Sequence, residues 1–457
     1  MRVRSLDEQL GIEVYLTHSF GVGGVIRREI EDFVVEEVLV DGSRAQINGT
    51  APKSILGSTS QRQRFLLCIL VKRNWDTFVA VKNVAKQLGI DQGRIQIGGI
   101  KDAKAVTAQH VTIDGGLIED IAKVNISDIQ LRPIGYVRES LSTFYLLGNC
   151  FTIKIKGIKY QPSTVERRLN QTFKEMEVAG GIPNFFGHQR FGTIRPITHL
   201  VGKAIFHGKF EEAAMLFLAK PSENEHPASA QARQDLQETK DFKQALKNFP
   251  KQLHFERLML GYLADNPSDF IGAFQRLPIK LQELFVQAHQ SYLFNRFLSG
   301  RLVHGYALNK AEVGDFVVAV ERSGLPLTKI AKTVSAQNEA ELNEQIKAGR
   351  MRIALPIVGI RQKLSNGVMG QIERKVLENE EANIGELQIN PLSLVGGKGG
   401  LRTAAAPVGE FTCNVSKSEG RGMGCEAELR FLLQRGCYAT VLLREMIKPL
   451  NPLTAGF

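Results

Sequence analysis

The hydrophobic pattern of this chain changes period along its length, and no single kind of secondary structure accommodates both periods. From Phe20 to Val40, "GGVIRREIEDFVVEEVLV" alternates and is rich in β-branched side chains, which predicts two short strands joined by a charged turn. Residues 281–300, "LQELFVQAHQSYLFNRFLSG", instead repeat apolar side chains at helical spacing through Leu284, Ala288, Tyr292 and Leu298. The chain therefore needs both strands and helices.

Between these segments the punctuation is clear. Residues 41–63 carry turn formers and few large apolar side chains, so they read as an exposed loop. "RFLLCILVKRN" reads as a buried strand, and the next helix places Val81, Val84, Ala85 and Leu88 on one face before Gly89 as C-cap. "QPSTVERRLNQTFKEMEVAGG" predicts a helix with a capping box at Ser163 and Glu166, a stripe of Val165, Leu169 and Met176, and two closing glycines. Residues 208–265 read mostly as polar-rich helix. Short strands, "GDFVVAV" and "MRIALPIVGI", then return among Gly and Pro turns, a change of texture that indicates a second, mixed domain. At the end, "EAELRFLL" alternates as a strand and "ATVLLREMIK" is a helix stopped by Pro449.

Charge and cysteines narrow the function. A formal net charge of +11 favours an anionic partner, since Lys and Arg release counterions from a chain of phosphates. The five cysteines are scattered, odd in number and contain no C-x-x-C pair, which argues against a disulfide framework or a zinc site and for a reducing compartment. Asp7 and Glu8 stand where a signal peptide needs apolar residues, and no run of about 18 apolar residues occurs. A cytoplasmic protein without membrane contact is expected. The clusters "GVGG", "GGKGG" and "GRGMG" lack the spacing of a phosphate or dinucleotide loop, and the acidic run "LENEEANIGE" reads as a solvated face.

Two segments carry chemistry. "GGIKDAKAVTAQHVTI" packs Gly98, Gly99, Lys101, Asp102, Thr107 and Gln109 into one strand-turn-strand unit. It has the look of an active-site loop, although an Asx turn at Asp102 would give the same pattern. Lys101 need not pair with Asp102, because neighbours in extended chain point to opposite faces. "PNFFGHQRFG" joins Asn184, three phenylalanines, Gln189 and Arg190 between glycines. Aromatic faces beside amides and Arg suit a splayed base, while a hydrophobic plug remains the alternative. His188 reads as structural, with no carboxylate or cysteine near it in a familiar arrangement.

Together these segments resemble the TruD family of pseudouridine synthases, whose "G-x-K-D-x-x-A-x-T-x-Q" motif stands complete here as "GIKDAKAVTAQ". "GVIRREIEDFVVEE", "NFFGHQRFG", "QSYLFNRFLSGR" and "ELRFLLQRGCYATVLLREMIK" resemble the family in the right order across nearly the whole chain. One departure is Ile30, where the family usually has Pro before Glu-Asp-Phe; it should affect a turn and leave the chemistry alone.

The resemblance implies an α+β chain: a catalytic domain with a curved antiparallel sheet and flanking helices, residues 1–207 plus 403–457, and an inserted α/β domain, residues 208–402. It also implies a cofactor- and metal-independent isomerase acting on tRNA, with position 13 of the D-arm as target, and a monomer is expected. Asp102 becomes the catalytic carboxylate. Phe33, Asn184, Phe186 and Tyr438 fall around the target uridine, Arg27 near the carboxylate, and Lys101, Gln189 and Arg190 join the candidates for substrate contact. The alternative function is a non-catalytic tRNA-binding protein or RNA chaperone of the same fold.

Overall fold

The run Phe65–Arg73 is apolar enough to be buried on both faces, and it lies inside a sheet instead of on its edge. The computed structural model describes residues 5–49, 55–382, 385, 397–418 and 424–457. In chain order, α1 (Ser5–Gln9) precedes β1 (Phe33–Leu39), β2 (Phe65–Arg73), α2 (Thr77–Leu88), β3 (Ile95–Ile97) and β4 (Val106–Asp114). Next come α3 (Ile118–Ile121), β5 (Ile129–Val137), β6 (Leu146–Ile158), α4 (Pro162–Val178) and β7 (Ile182–Pro183). The middle of the chain forms α5 (Thr198–Phe206), α6 (Phe210–Ala219), α7 (Pro227–Thr239), α8 (Phe242–Asn248), α9 (His254–Asp265), α10 (Phe270–Gln275) and α11 (Ile279–Val303). It continues as β8 (Phe316–Val320), β9 (Pro326–Thr333), α12 (Glu339–Lys347), β10 (Met351–Ile357), α13 (Gly367–Asn379), β11 (Gly400–Thr403) and β12 (Ala405–Ala406). The chain closes with β13 (Val408–Lys417), β14 (Cys425–Gln434) and α14 (Ala439–Ile447).

The main sheet has the order β13-β14-β6-β1-β4-β2-β5, with β3 added alongside β4. Its pairs are antiparallel except β1–β4, which run parallel. Pairing of β6 with β14 joins residues near 150 to residues near 430, so both ends of the chain build one sheet. A second sheet, β11-β10-β8-β9, lies in the middle segment, and β7 pairs with β12. The architecture is α+β.

Period-two geometry explains how β2 is covered. Leu66, Cys68 and Leu70 pack on Ala80, Val81, Val84 and Ala85 of α2, while Phe65 and Leu67 meet Leu39, Ile55 and Leu141 on the other side. Each fully buried Leu or Ile contributes roughly 1.5–3 kcal/mol. Helix α4 buries Val165, Leu169, Thr172 and Met176, one stripe at 3.6 spacing, and Phe173 stacks on Phe411 of β13. Helix α11 is buried nearly all round. Its Leu293, Phe294, Phe297 and Leu298 share one core with Phe33, Phe151 and Phe431, so packing is continuous across residue 208 and residue 402. A separate core of α5–α10 contains Val201, Leu218, Met259 and Phe274.

Several local expectations change. Residues 20–40 contain one strand, not two: Arg27 adopts a left-handed φ of 57°, Val25 makes only an isolated bridge to Lys156, and Glu29 and Asp32 cap each other across a 3-10 turn at Ile30–Asp32. Ile30 opens that turn. Helix α4 begins two positions earlier than a Ser163 cap requires, because Pro162 occupies its first turn after Gln161 and needs no donor there. In the 41–63 loop, Ala45 and Ile55 are fully buried as lids over β2; residues 50–54 lie outside the described residues. The acidic run is not all solvated: Glu380 is buried and contacts Lys203, Tyr292 and Arg296 at 2.6–2.7 Å. The end of that run, the first glycine of "GGKGG" and all but the last residue of "GRGMG" lie outside the described residues.

The "GVGG" loop has a packing role. Val22 and Gly23 donate to the Met446 and Ile447 carbonyls, and a Cβ on Gly21 would meet the Ile447 oxygen at 2.3 Å. Asp7 lies beneath it, fully buried, joined to Arg444 Nε and His188 Nε2 at 2.7 and 2.8 Å. Burial alone would raise the Asp7 carboxyl, but Arg444 and His188 outweigh it and hold it below its ordinary 3.8. That stabilisation is present above pH 3.8 and is lost as pH falls through the depressed value. Asp7→Ala leaves Arg444 buried without its main partner and is expected to lose ~3–5 kcal/mol in urea unfolding at neutral pH. The gap between the two proteins should narrow once pH falls below 3.8.

Candidate active site

The loop between β3 and β4 is held from below by buried polar groups. Lys72, fully buried on β2, donates to the backbone oxygens of Trp75 and Asp102, both at 2.7 Å. Burial lowers its ammonium to about 8, with Asp102 and Asp76 opposing the shift. Thr77 Oγ1 donates to the Lys101 carbonyl and accepts from the Lys101 amide, and Gln109 Nε2 donates to the Gly99 carbonyl. Lys101 itself turns inward, its Nζ 2.6 Å from Glu37 of β1. Glu37 also accepts from the His110 amide at 2.8 Å and lies 3.1 Å from its Nδ1. Burial would raise the Glu37 carboxyl, but Lys101 and His110 hold it below the usual range. A Cβ at Gly99 would come to 3.2 Å from Leu146 Cδ2, tighter than usual, so a larger residue there would press on β6.

Alternation then sends Asp102 the other way, with 35% of its side chain exposed. Arg27 Nη2 meets its Oδ1 at 2.8 Å, while Arg27 Nη1 donates to the Gly456 carbonyl at 3.3 Å. The guanidinium carbon sits 3.9 Å over the Phe33 ring. Phe33 is only 1% exposed and meets Phe151 edge-on, so it presents almost no surface of its own beneath Arg27. Burial lowers the Arg27 pKa and Asp102 opposes that.

A second arginine organises the other aromatic group. Arg402 stacks 4.1 Å over Phe186 and lies 6.0 Å over Tyr438, whose ring is 6.2 Å from Phe186. Its Nε donates to the Asn184 carbonyl and its Nη2 to Asn184 Oδ1, at 2.8 and 2.6 Å. Asn184 Nδ2 donates to Thr403 Oγ1 at 3.0 Å. The amide and carbonyl of Phe186 are both taken by the Asn295 side chain of α11. Gln189 accepts from Thr440, and Arg190 reaches Ser291 and Gln287 of α11, 5.8 Å over Phe186. The two groups meet through the C-terminal residues: Gly456 holds Arg27, and the Phe457 ring lies 5.9 Å from His188.

The structure thus brings Arg27, Phe33 and Asp102 together, and separately Asn184, Phe186, Gln189, Arg190 and Tyr438. Lys101 faces away from the carboxylate. His188 keeps a structural place, although a carboxylate does reach it: Asp7, 181 positions earlier, which no local spacing could reveal. Arg402, Glu37 and Lys72 escaped the sequence reading, because an arginine after a glycine run and charged residues within strands carry no motif. Among the described residues, no group of three or more His, Cys, Asp or Glu side chains is gathered as a metal site, and no helix is long and apolar enough to cross a membrane.

A family model for tRNA pseudouridine synthase D (TruD) matches residues 9–446. The chain belongs to the TruD family. A Methanosarcina acetivorans relative named "Probable tRNA pseudouridine synthase D" is 37% identical over 459 residues, covering 99% of each chain. A relative of the same name from Pyrococcus abyssi is 35% identical, covering 95% of this chain and 98% of its own. The fold is similar to a crystal structure from Methanosarcina mazei assigned to TruD, with a TM-score of 0.84, 36% identity and coverage of 99% and 100%.

In this TruD chain, Arg402→Lys keeps a charge but cannot grip both oxygens of Asn184 while lying flat on Phe186. Turnover on tRNA is expected to fall about tenfold or more, equivalent to ~1.4 kcal/mol, with little change in melting temperature. Single-turnover kinetics and thermal melts would check this.

Proposed function

We propose that this chain, a TruD-family tRNA pseudouridine synthase, isomerises a tRNA uridine with the Asp102 carboxylate as its catalytic group. The observation that carries the assignment is how Asp102 is held. Buried Lys72 grips its backbone, Arg27 aims its side chain, and the carboxylate keeps an open side. A group that must meet one atom of a flipped nucleotide needs such positioning, since misplacement by about 1 Å can cost about 100-fold in rate.

The reaction breaks the bond from uracil N1 to the sugar C1′ and joins C5 to that same carbon. The base keeps its skeleton, and no redox partner is required. An ionised carboxylate can act on the sugar, the base or a sugar proton. The target must leave the helical stack, at roughly a few kcal/mol, offset by stacking and backbone contacts. Phe186 and Tyr438 offer flat walls against which the detached uracil can turn. Asn184 has one N–H bound to Thr403 and its oxygen held by Arg402, which leaves its second N–H for a uracil oxygen. Phe33 supports this scheme through Arg27, on whose underside it lies.

The target is assigned to position 13 of the D-arm on the family resemblance, and the protein to the cytoplasm as a monomer; five free cysteines support a reducing compartment. Apart from Arg402, the groups placed at the reaction lie outside residues 208–402, so we assign that segment to gripping the tRNA body. Because α11 fills the shared core, excising the segment would open the catalytic domain as well.

Asp102→Asn is expected to abolish pseudouridine formation on unmodified tRNA transcripts while tRNA affinity changes less than about twofold; turnover by the folded variant would overturn the assignment. Activity should persist in chelator without added metal or nucleotide, read by the same mapping. Binding should weaken linearly in log K against log salt, with a slope near −0.7 to −0.9 per phosphate contact.

A further inference from the structure

A groove of about 560 Å³ opens near the segment that carries Arg27, between the "GVGG" loop, the end of β6 and the turn after α14. Its rim carries unusual exposure for aromatic side chains: Phe20 is 70% exposed and Tyr160 44%. Arg168 of α4 lies between them, its guanidinium carbon 4.1 Å over Tyr160 and 5.7 Å from the Phe20 centroid. That guanidinium donates to the Gly21 carbonyl, a neutral partner, so its charge is kept while its plane is fixed. Lys159 is exposed on the same rim, and Lys448 donates to the Thr17 and Ser19 carbonyls, again without a carboxylate in those bonds. On the far side Leu450 is 73% exposed.

The groove lies near the site described above. Val25, in its floor, stands two residues and therefore at most about 7.6 Å of chain from Arg27. Ala455, also in the floor, accepts from Ile26, and the next residue, Gly456, holds Arg27. An apolar-walled groove with stacked aromatic and guanidinium planes and positive charge, a short chain distance from the arginine that pairs with Asp102, suits an unstacked nucleotide. The Gly-rich loop is not a phosphate cradle, since the Val22 and Gly23 amides are already given to α14.

We propose that this groove binds a single-stranded RNA nucleotide flanking the target uridine, its base stacked on the Phe20–Arg168–Tyr160 platform. The inference rests on Asp102 marking where the target uridine sits. It adds a second point of recognition: the RNA is held by a neighbouring base while the uridine is turned over.

Binding is read without turnover. Unmodified tRNA carrying 2-aminopurine next to the target, on either side in separate samples, is titrated with the full-length protein and with Phe20→Ala and Tyr160→Ala. These side chains are exposed, and melting curves verify that the variants fold. For the wild type, fluorescence should be quenched at one flanking position by stacking. In each alanine variant the quenching should be lost and Kd should rise about tenfold, equivalent to ~1.4 kcal/mol and within the ~1–3 kcal/mol of base–aromatic stacking. Tyr160→Phe should restore both. Unchanged Kd and fluorescence in both folded alanine variants would overturn the assignment to RNA and leave a protein or peptide as the occupant. Turnover by Asp102→Asn would instead defeat the catalytic assignment, a failure that this binding measurement reports separately.

Discussion

Glu37 is a carboxylate with no access to water, and the loop between β3 and β4 depends on its need for partners. An ion buried alone is prohibitively unfavourable, so Glu37 must be met by charge and by hydrogen bonds. Lys101 supplies the first and His110 the second. Because Glu37 stands on β1 and His110 on β4, the parallel pairing of these two strands fixes where Lys101 has to come. Once Lys101 is drawn inward, the alternation of an extended chain turns Asp102 outward. Lys72 and Thr77 then remove the remaining freedom of the loop by holding its backbone.

Arginines do for the surroundings what Glu37 does for the loop. Arg27, Arg402 and Arg444 each combine a flat contact on an aromatic ring, at 3.9–4.1 Å, with hydrogen bonds to groups far away in sequence. A planar guanidinium can stack and donate at the same time, which an ammonium cannot. Two of them tie terminal segments together, Arg27 to the C-terminal residues and Arg444 to α1, while Arg402 joins β11 to the loop after β7. The site sits where these ties converge, and this explains why both ends of the chain are needed to build it.

The middle segment is bound more closely to the two ends of the chain than a change in sequence texture suggests. Helix α11 packs its phenylalanines into the shared core and uses Asn295, Ser291 and Gln287 to hold Phe186 and Arg190. Residues 197–286 keep a core of their own. That core includes Phe285 and Val286 from the start of α11, so the outer helices rest on the same helix that holds the aromatic wall.

By itself the sequence determined what local rules govern. Period-two and period-3.6 patterns set β2, α2, α4, α11 and β14, while the "GIKDAKAVTAQ" segment put Asp102 forward only through its resemblance to the TruD family. Local rules failed where a tertiary partner intervened: Ile55 folded onto β2, and Glu380 found three partners instead of water. Only the tertiary structure could decide that Lys101 faces Glu37, that Asp7 reaches His188 and Arg444, and that Arg402 joins Asn184 to Phe186. Those contacts link residues 64, 181, 437 and 218 positions apart. Their strength comes from desolvation and geometry in a packed interior, quantities that exist only once the chain has folded.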